Sequence, residues 1–344
     1  MRLIKTQDAV GHVLCHDITQ IIKGVTKDAL FRKGHIVTEE DIPLLLSVGK
    51  EHLYVWENDE SMMHENDAAE VLYRMTANEH MHPSDVKEGK IEVIADTEGL
   101  LKVDREKLKK VNAFGAMMIA TRHGNTVVKK GDKLAGTRII PLVIKKDKMQ
   151  EAEKICDGTP ILKILPFTVK KAAIITTGNE VYHGRIKDAF TPVIEQKIAE
   201  FGAEMMFHEI FDDNDRKITD GCLRAIEAGA DIVFCTGGMS VDPDDKTPLA
   251  IKNTGAEMIS YGSPVLPGAM FLLSYYRKGD KVIPICGLPG CAMYNRRTIF
   301  DLVLPRLMAA DPVTADELAS LGEGGLCLNC KVCTFPNCGF GKGW

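Results

Sequence analysis

The sequence predicts an α/β protein, a doubly wound, mostly parallel sheet with helices on both faces, preceded by a smaller α+β region. Three observations predict it. From residue 170 onward, short apolar runs alternate with amphipathic segments of helical length, the rhythm of strands joined by crossover helices. The runs AAIITT and DIVFCT show no polar alternation, as expected of strands buried on both faces. Residues 1–165 lack this rhythm and mix short β-like runs, glycine turns and isolated helices. A chain of 344 residues has room for two or three domains. The divisions read as 1–165, 166–312 and a 313–344 tail.

In the first region, TEEDIPLLLSVG (38–49) predicts a helix with Thr38 as N-cap, Asp41 three residues on and Gly49 as stop. Gly24 and Gly34 mark turns, and YVW (54–56) a strand. A helix is expected near 66–78. The runs IEVIA, GAMMIAT and TRIIPLVI predict strands around the charged helix VDREKLKKVNA, with KKGDK and Gly136 as turns. In the second region the expected strands are AAIITT (172–177), EMMFHEI (204–210), DIVFCT (231–236), EMISY (257–261), AMFLLSY (269–275) and KVIPIC (281–286). Helices are expected to end at FGAE, to open at Asn214 and close near Gly229, to start near Thr247–Pro248, and to run through AMYNRRTIFDLVLPRLMA.

Composition narrows the function. Apolar residues make up 45% and charged residues 26%, as in soluble globular proteins. The net charge is −5 and no long Lys/Arg block occurs, which disfavours a nucleic-acid partner. The N-terminus carries no apolar signal core, and the longest apolar stretches fall well short of a bilayer span. No membrane partner and a cytoplasmic location are therefore expected. Six cysteines are scattered singly, as suits reduced thiols.

The other four stand together. Cys327, Cys330, Cys333 and Cys338 form CLNCKVCTFPNC, a C-x2-C-x2-C-x4-C run. Such spacing lets a short loop wrap one soft metal centre. It is similar to the bacterial ferredoxin run, with one residue added before the last cysteine. Zinc also accepts four thiolates, usually from two separated knuckles. The tail is expected to hold a [4Fe–4S] cluster or Zn2+, with free or disulfide-forming thiols as the plain alternative.

Three loops follow predicted strands: TTGNE (176–180), TGGMS (236–240) and GLPGC (287–291). Ligands of doubly wound sheets bind at the carboxyl ends of the strands. Gly237 and Gly238 permit close backbone approach and an anion nest, with Thr236 and Ser240 as hydroxyl donors. Asp242, Asp244 and Asp245 follow, and Glu180 and Asp188 belong to the first loop. Their plain reading is solvated loop residues and helix caps, with Asp245, Thr247 and Asp188 as cap candidates. Carboxylates beside an anion nest also suit a divalent ion such as Mg2+ bridging to phosphate oxygens. Asp212 is a further acidic candidate, and Arg296 or Arg297 a candidate anion clamp. Pro289 stiffens the third loop between two glycines.

In order and spacing, these loops together with PVLPGAMF resemble the molybdopterin-binding domain of molybdenum cofactor biosynthesis proteins. Within that family they look like the molybdopterin molybdenumtransferase branch (MoeA/gephyrin E-domain-like), and Ser240 favours that branch. The resemblance is good over about 165–310 and weaker before it. It implies molybdopterin as ligand and substrate, with Mg2+ and molybdate, for insertion of molybdate into adenylyl-molybdopterin. It implies pterin or phosphate contacts from Thr177, Gly178, Thr236, Gly237, Gly238, Met239, Ser240, Pro289 and Gly290. Glu180, Asp188 and Asp245 would be catalytic, and Asp242 and Asp244 candidate Mg2+ ligands. A homodimer and a molybdoenzyme partner are also implied. The sequence departs from the family in lacking its N-terminal acidic segment and its C-terminal β domain, and in having Cys291 where a polar amide is usual. These departures motivate the alternative, a non-catalytic molybdopterin carrier, chaperone or redox sensor.

Overall fold

The computed structural model describes residues 1–22, 26–55 and 59–343. Gly24 and Trp56, the end of the expected 54–56 strand, lie outside them. The chain divides into two compact units. The first comprises Met1–Glu98, Lys102–Gly124 and Val128–Ile164, and the second comprises Gly99–Leu101, Asn125–Val127 and Leu165–Trp344.

The first unit is α+β. Strands Arg2–Lys5 and His52–Val55 pair antiparallel, as do Ile18–Ile22 and Thr26–Phe31. Leu14, Ile18, Leu45, Leu53 and Val55 form their core. A four-stranded antiparallel sheet runs Met81–Pro83, Lys90–Ala95, Lys133–Ile139, Met117–Thr121. Helix Glu65–Thr76 packs on it and buries Ala68, Leu72 and Met75, one stripe at helical spacing. The expected helix at 38–49 is shorter, Asp41–Ser47, and Glu40 rather than Thr38 occupies the N-cap. Asp41 accepts from the Thr38 N–H instead (2.9 Å), so only the carboxylate half of the expected box forms. Gly49 ends this helix with φ 76°. Gly136 lies inside strand Lys133–Ile139, opposite Glu92 and Ala120, and is not a turn.

The second unit is the α/β fold expected. Its strands are β1 (Lys171–Thr177), β2 (Glu204–Phe211), β3 (Ile232–Thr236), β4 (Glu257–Tyr261), β5 (Leu272–Lys278) and β6 (Lys281–Leu288). Their order is β2-β1-β3-β6-β5-β4. The pairs β1–β2, β1–β3 and β3–β6 are parallel, and β5–β6 and β4–β5 are antiparallel. The continuous apolar runs follow from two-sided burial. Ala172, Ile174, Ile232 and Phe234 enter the core under helices α1 (Phe190–Ala199) and α4 (Ile299–Met308). Their neighbours Ala173, Ile175, Val233 and Cys235 enter the opposite core, under α2 (Asp215–Glu227) and α3 (Thr247–Asn253). Phe234 meets Phe300 edge-on at 5.3 Å, and full burial of such a side chain contributes roughly 1.5–3 kcal/mol.

Two boundaries differ from expectation. The helix read through 292–309 is two, Cys291–Tyr294 and α4, because Thr298 starts a new helix. Its hydroxyl accepts from the Phe300 N–H, and Asp301 accepts from the Thr298 N–H (2.8 Å). Strand β5 begins at Leu272 rather than 269, since Gly268 (φ 128°) turns the chain just before it. The 313–344 tail is no separate region: Val313, Leu318 and Phe340 bury in the α1/α4 core. Among the described residues no helix is long and apolar enough to cross a membrane.

Candidate functional site

The register aligns Thr176 with Thr236, and Thr236 with Leu288, so the three loops leave the sheet at one level. A cavity of about 610 Å³ opens there. Its walls come from Gly237–Ser240 with Asp245, from Pro289–Cys291, and from Leu266–Met270, with Phe190 at one side. Close approach explains the glycines. A Cβ on Gly237 (φ 81°) would sit 2.1 Å from the Thr177 carbonyl oxygen, and one on Gly238 (φ 54°) 2.9 Å from Thr247 Oγ1. Hydroxyls tie the loop down from beneath. Thr177 donates to the Thr236 carbonyl (3.1 Å) and Thr247 to the Gly237 carbonyl (2.8 Å). Asp245 accepts from the Ser240 N–H at 2.7 Å, closing the loop, and Tyr261 donates to the Met239 carbonyl at 3.0 Å. The Thr236 hydroxyl is fully buried and has no partner.

Carboxylates gather at the rim. Asn179 N–H donates to Asp213 Oδ2 at 3.1 Å. Burial, and then the charges of Glu180, Asp245 and Asp244, push the Asp213 carboxyl above its usual range, against the pull of that hydrogen bond. Asp188 is used otherwise. Its Oδ1 accepts from the Phe190 and Thr191 N–H groups (2.8 and 3.2 Å) and its Oδ2 from the Thr176 hydroxyl (3.0 Å), with His208 Nε2 at 3.4 Å. Burial alone would raise this carboxyl, but the bonds from Thr191, Phe190 and Thr176 hold it below the usual range.

Residues 173–309 match the family model described as "Probable molybdopterin binding domain". Residues 3–57 match a second family model, "Domain of unknown function (DUF8806)". A "Putative competence-damage inducible protein" from Bacillus cereus (strain B4264) is 30% identical over 129 residues, 38% of this chain and 30% of its own length. One of the same name from Bacillus subtilis (strain 168) is 32% identical over 85 residues, 25% of this chain and 20% of its own length. The chain therefore spans less than a third of these relatives. The tungsten cofactor synthesizing protein MoaB from Pyrococcus furiosus is similar in structure over 42% of this chain and 98% of its own, with 18% identity and a TM-score of 0.35.

Within this molybdopterin-binding-type domain, Gly237, Gly238, Met239, Ser240, Asp245, Pro289 and Gly290 line one cavity. Thr177, Thr236 and Gly178 are buried and form no part of its lining. Glu180, Asp242 and Asp244 are exposed and also outside it. Asp188 bonds the first N–H groups of α1, whose N-cap position is Ala189, and is not part of the cavity lining. The caps expected from Asp245 and Thr247 do not form: Lys246 is the N-cap of α3, and both candidates bond the glycine loop instead. Asp213, not Asp212, joins the acidic rim, since Asp212 pairs with Lys217 at 2.8 Å. The DDND run signalled acidity, but only the turn decides which carboxylate comes near Glu180, Asp244 and Asp245. Arg296 and Arg297 line a second cavity beside the tail and are no clamp for the first. Cys291 lines the first cavity, with its thiol pushed up by burial, while Cys286 is fully buried.

That second cavity, of about 600 Å³, is lined by Cys327, Cys330, Cys333 and Cys338. Cys330 and Cys333 are exposed, Cys327 and Cys338 half-buried. Among the described residues no three His, Cys, Asp or Glu side chains converge closely enough to hold a single ion.

The cavity suits a pterin bearing an anionic group. The backbone of Gly237 and Gly238 approaches without side chains, and Pro267 and Met270 supply an apolar wall.

Proposed function

We propose that the protein binds molybdopterin and inserts molybdate into it, as a molybdopterin molybdenumtransferase-like enzyme of molybdenum cofactor biosynthesis. The supporting observation is the cavity in which the glycine loop 236–240, the Pro289–Gly290 turn and the Leu266–Met270 segment meet beneath an acidic rim. The amides of Gly237, Gly238 and Met239 and the Ser240 hydroxyl would bind the phosphate of the substrate. Pro267 and Met270 would hold the pterin plane and exclude water from it. Glu180, Asp213, Asp244 and Asp245 would draw Mg2+ to the rim, where substrate oxygens and water would complete its coordination, with Asp242 on the same loop. The ion would neutralise charge developing on the adenylyl phosphate as AMP leaves.

A cytoplasmic location belongs to the same reading, and the loaded cofactor would pass to a molybdoenzyme partner. A homodimer belongs to the same reading and is tested by light scattering. Purified protein given adenylyl-molybdopterin, molybdate and Mg2+ should release AMP and activate a cofactor-free molybdoenzyme. Asp245→Asn should lower that rate about 10–100-fold, as expected for loss of a group that positions a metal ion. The commitment of Asp188 to helix capping favours a second reading, a non-catalytic molybdopterin carrier or sensor. Tight molybdopterin binding without AMP release would select it, and no binding at all would reject both.

A further inference from the structure

The cysteine run is a formed loop rather than a frayed end. Leu326 bridges Leu266 in parallel, and both backbone groups of Leu266 are used: its N–H donates to the Gly325 carbonyl and its carbonyl accepts from the Cys327 N–H, each at 2.8 Å. At the far side the Gly341 N–H donates to the Gly324 carbonyl at 3.0 Å, which closes the loop. Phe340 is buried in the core, and Arg297 lies 4.8 Å over the Phe335 ring. The loop is thus held at both ends without a disulfide, and its four thiols face one hollow of about 600 Å³.

Two features say what fills it. A single zinc ion draws every sulfur to within about 2.3 Å of one point. All four cysteines border one space of about 600 Å³, far more than a single ion fills. That arrangement suits a group with its own volume, whose corners reach out to separated thiolates. The wall is also cationic. Arg296, Arg297 and Lys331 line the hollow, Arg297 hydrogen-bonds Cys333, and Arg296 Nη1 donates to the Lys331 carbonyl at 3.3 Å. Four thiolates around an iron–sulfur core leave a net negative charge, and hydrogen bonds to the sulfurs together with nearby cations stabilise it.

We propose that Cys327, Cys330, Cys333 and Cys338 ligate one [4Fe–4S] cluster in this cavity. Each thiol loses its proton to solvent as its sulfur displaces the terminal ligand of one iron, which leaves to solvent or to the donor. The preassembled core keeps its own charge, so no oxidant or reductant is consumed. The site stands independently of what the neighbouring cavity binds. The two are nonetheless built on shared segments: Leu266 borders one cavity while its partner Leu326 borders the other, and helix Cys291–Tyr294 carries Cys291 to the first and Tyr294 to the second.

The test is anaerobic purification of the full chain, or its reconstitution with iron and sulfide, followed by iron, sulfide and zinc analysis. The expected content is about four irons and four acid-labile sulfides per chain, with a broad visible absorption bleached by dithionite. Cys330→Ser and Cys333→Ser, at exposed positions, should each cut iron content several-fold while far-UV circular dichroism stays unchanged. Cys291→Ser should retain full iron, since that thiol lines the other cavity. Should a variant misfold, iron stoichiometry of the wild-type protein still decides. One zinc per chain with no iron, iron retained in both tail variants, or a metal-free protein with oxidised tail thiols would each overturn the proposal.

Discussion

Single residues decide the geometry of the loop at the first cavity. Thr247 Oγ1 lies 3.0 Å from Thr177 Oγ1 and donates to the Gly237 carbonyl. Thr247→Val keeps the shape and removes both bonds. A buried acceptor left without a partner costs about 1–3 kcal/mol, so the melting temperature should fall by several degrees and ligand affinity with it. Chemical denaturation and calorimetry read the first effect, and equilibrium binding the second. Gly237→Ala should be worse, since its Cβ meets backbone rather than a movable side-chain end. A strand running into two glycines also makes a plain turn, and it was the carboxylates just after the pair that marked this loop in the sequence. Asp213 was not: four acidic or amide residues in a row carry no mark of which one a turn will aim at Glu180. Asp188 shows the converse, a carboxylate in the right loop whose hydrogen bonds commit it to a helix end.

Among the elements, the core strands were the most readable, because burial on both faces erases polar alternation and leaves a run that little else explains. The break before α4 was missed although its capping pair, Thr298 and Asp301, is present in the sequence. The polar run 295–298 (NRRT) concealed it, since it fits one exposed turn of a continuous helix as well as a break. Asp301 does more than cap. It is buried, and it also binds Lys197 on α1 and Arg297 (2.8 Å). Removing one partner of such a buried pair costs about 3–5 kcal/mol. Asp301→Ala should therefore destabilise the second unit by roughly 3 kcal/mol, or about three times the effect of Thr298→Ala, where loss of a cap costs about 1 kcal/mol. A denaturation midpoint for Asp301→Ala equal to wild type would show that α4 does not depend on this charge.

For the whole molecule, the units part near residue 165, where the sequence changes rhythm, but two short excursions escaped sequence reading. The segments 99–101 and 125–127 join the second unit from within the first, and no composition change marks such short excursions. Stability as a function of pH offers a measurement at this scale. Burial lowers the pKa of His64 despite its hydrogen bond to the Cys15 carbonyl at 2.8 Å, and burial lowers that of His16 as well. A histidine depressed in the folded state binds fewer protons there than in the unfolded chain. Stability is then full above the ordinary value of about 6.5 and is lost as pH falls from there through the folded pKa. Melting temperatures should drop between neutral and mildly acidic pH, and His64→Gln should flatten that slope. An equal slope in the variant would assign the loss to other groups.

Leu266 spends its N–H and its carbonyl on the tail while standing in the wall of the upstream cavity. A nonsense mutation that spared every strand and helix of the sheet but removed the last twenty residues would strip both partners from that one peptide. The wall would slacken with it, so a shortened gene product should fail as a pterin binder even where no pterin contact has been deleted.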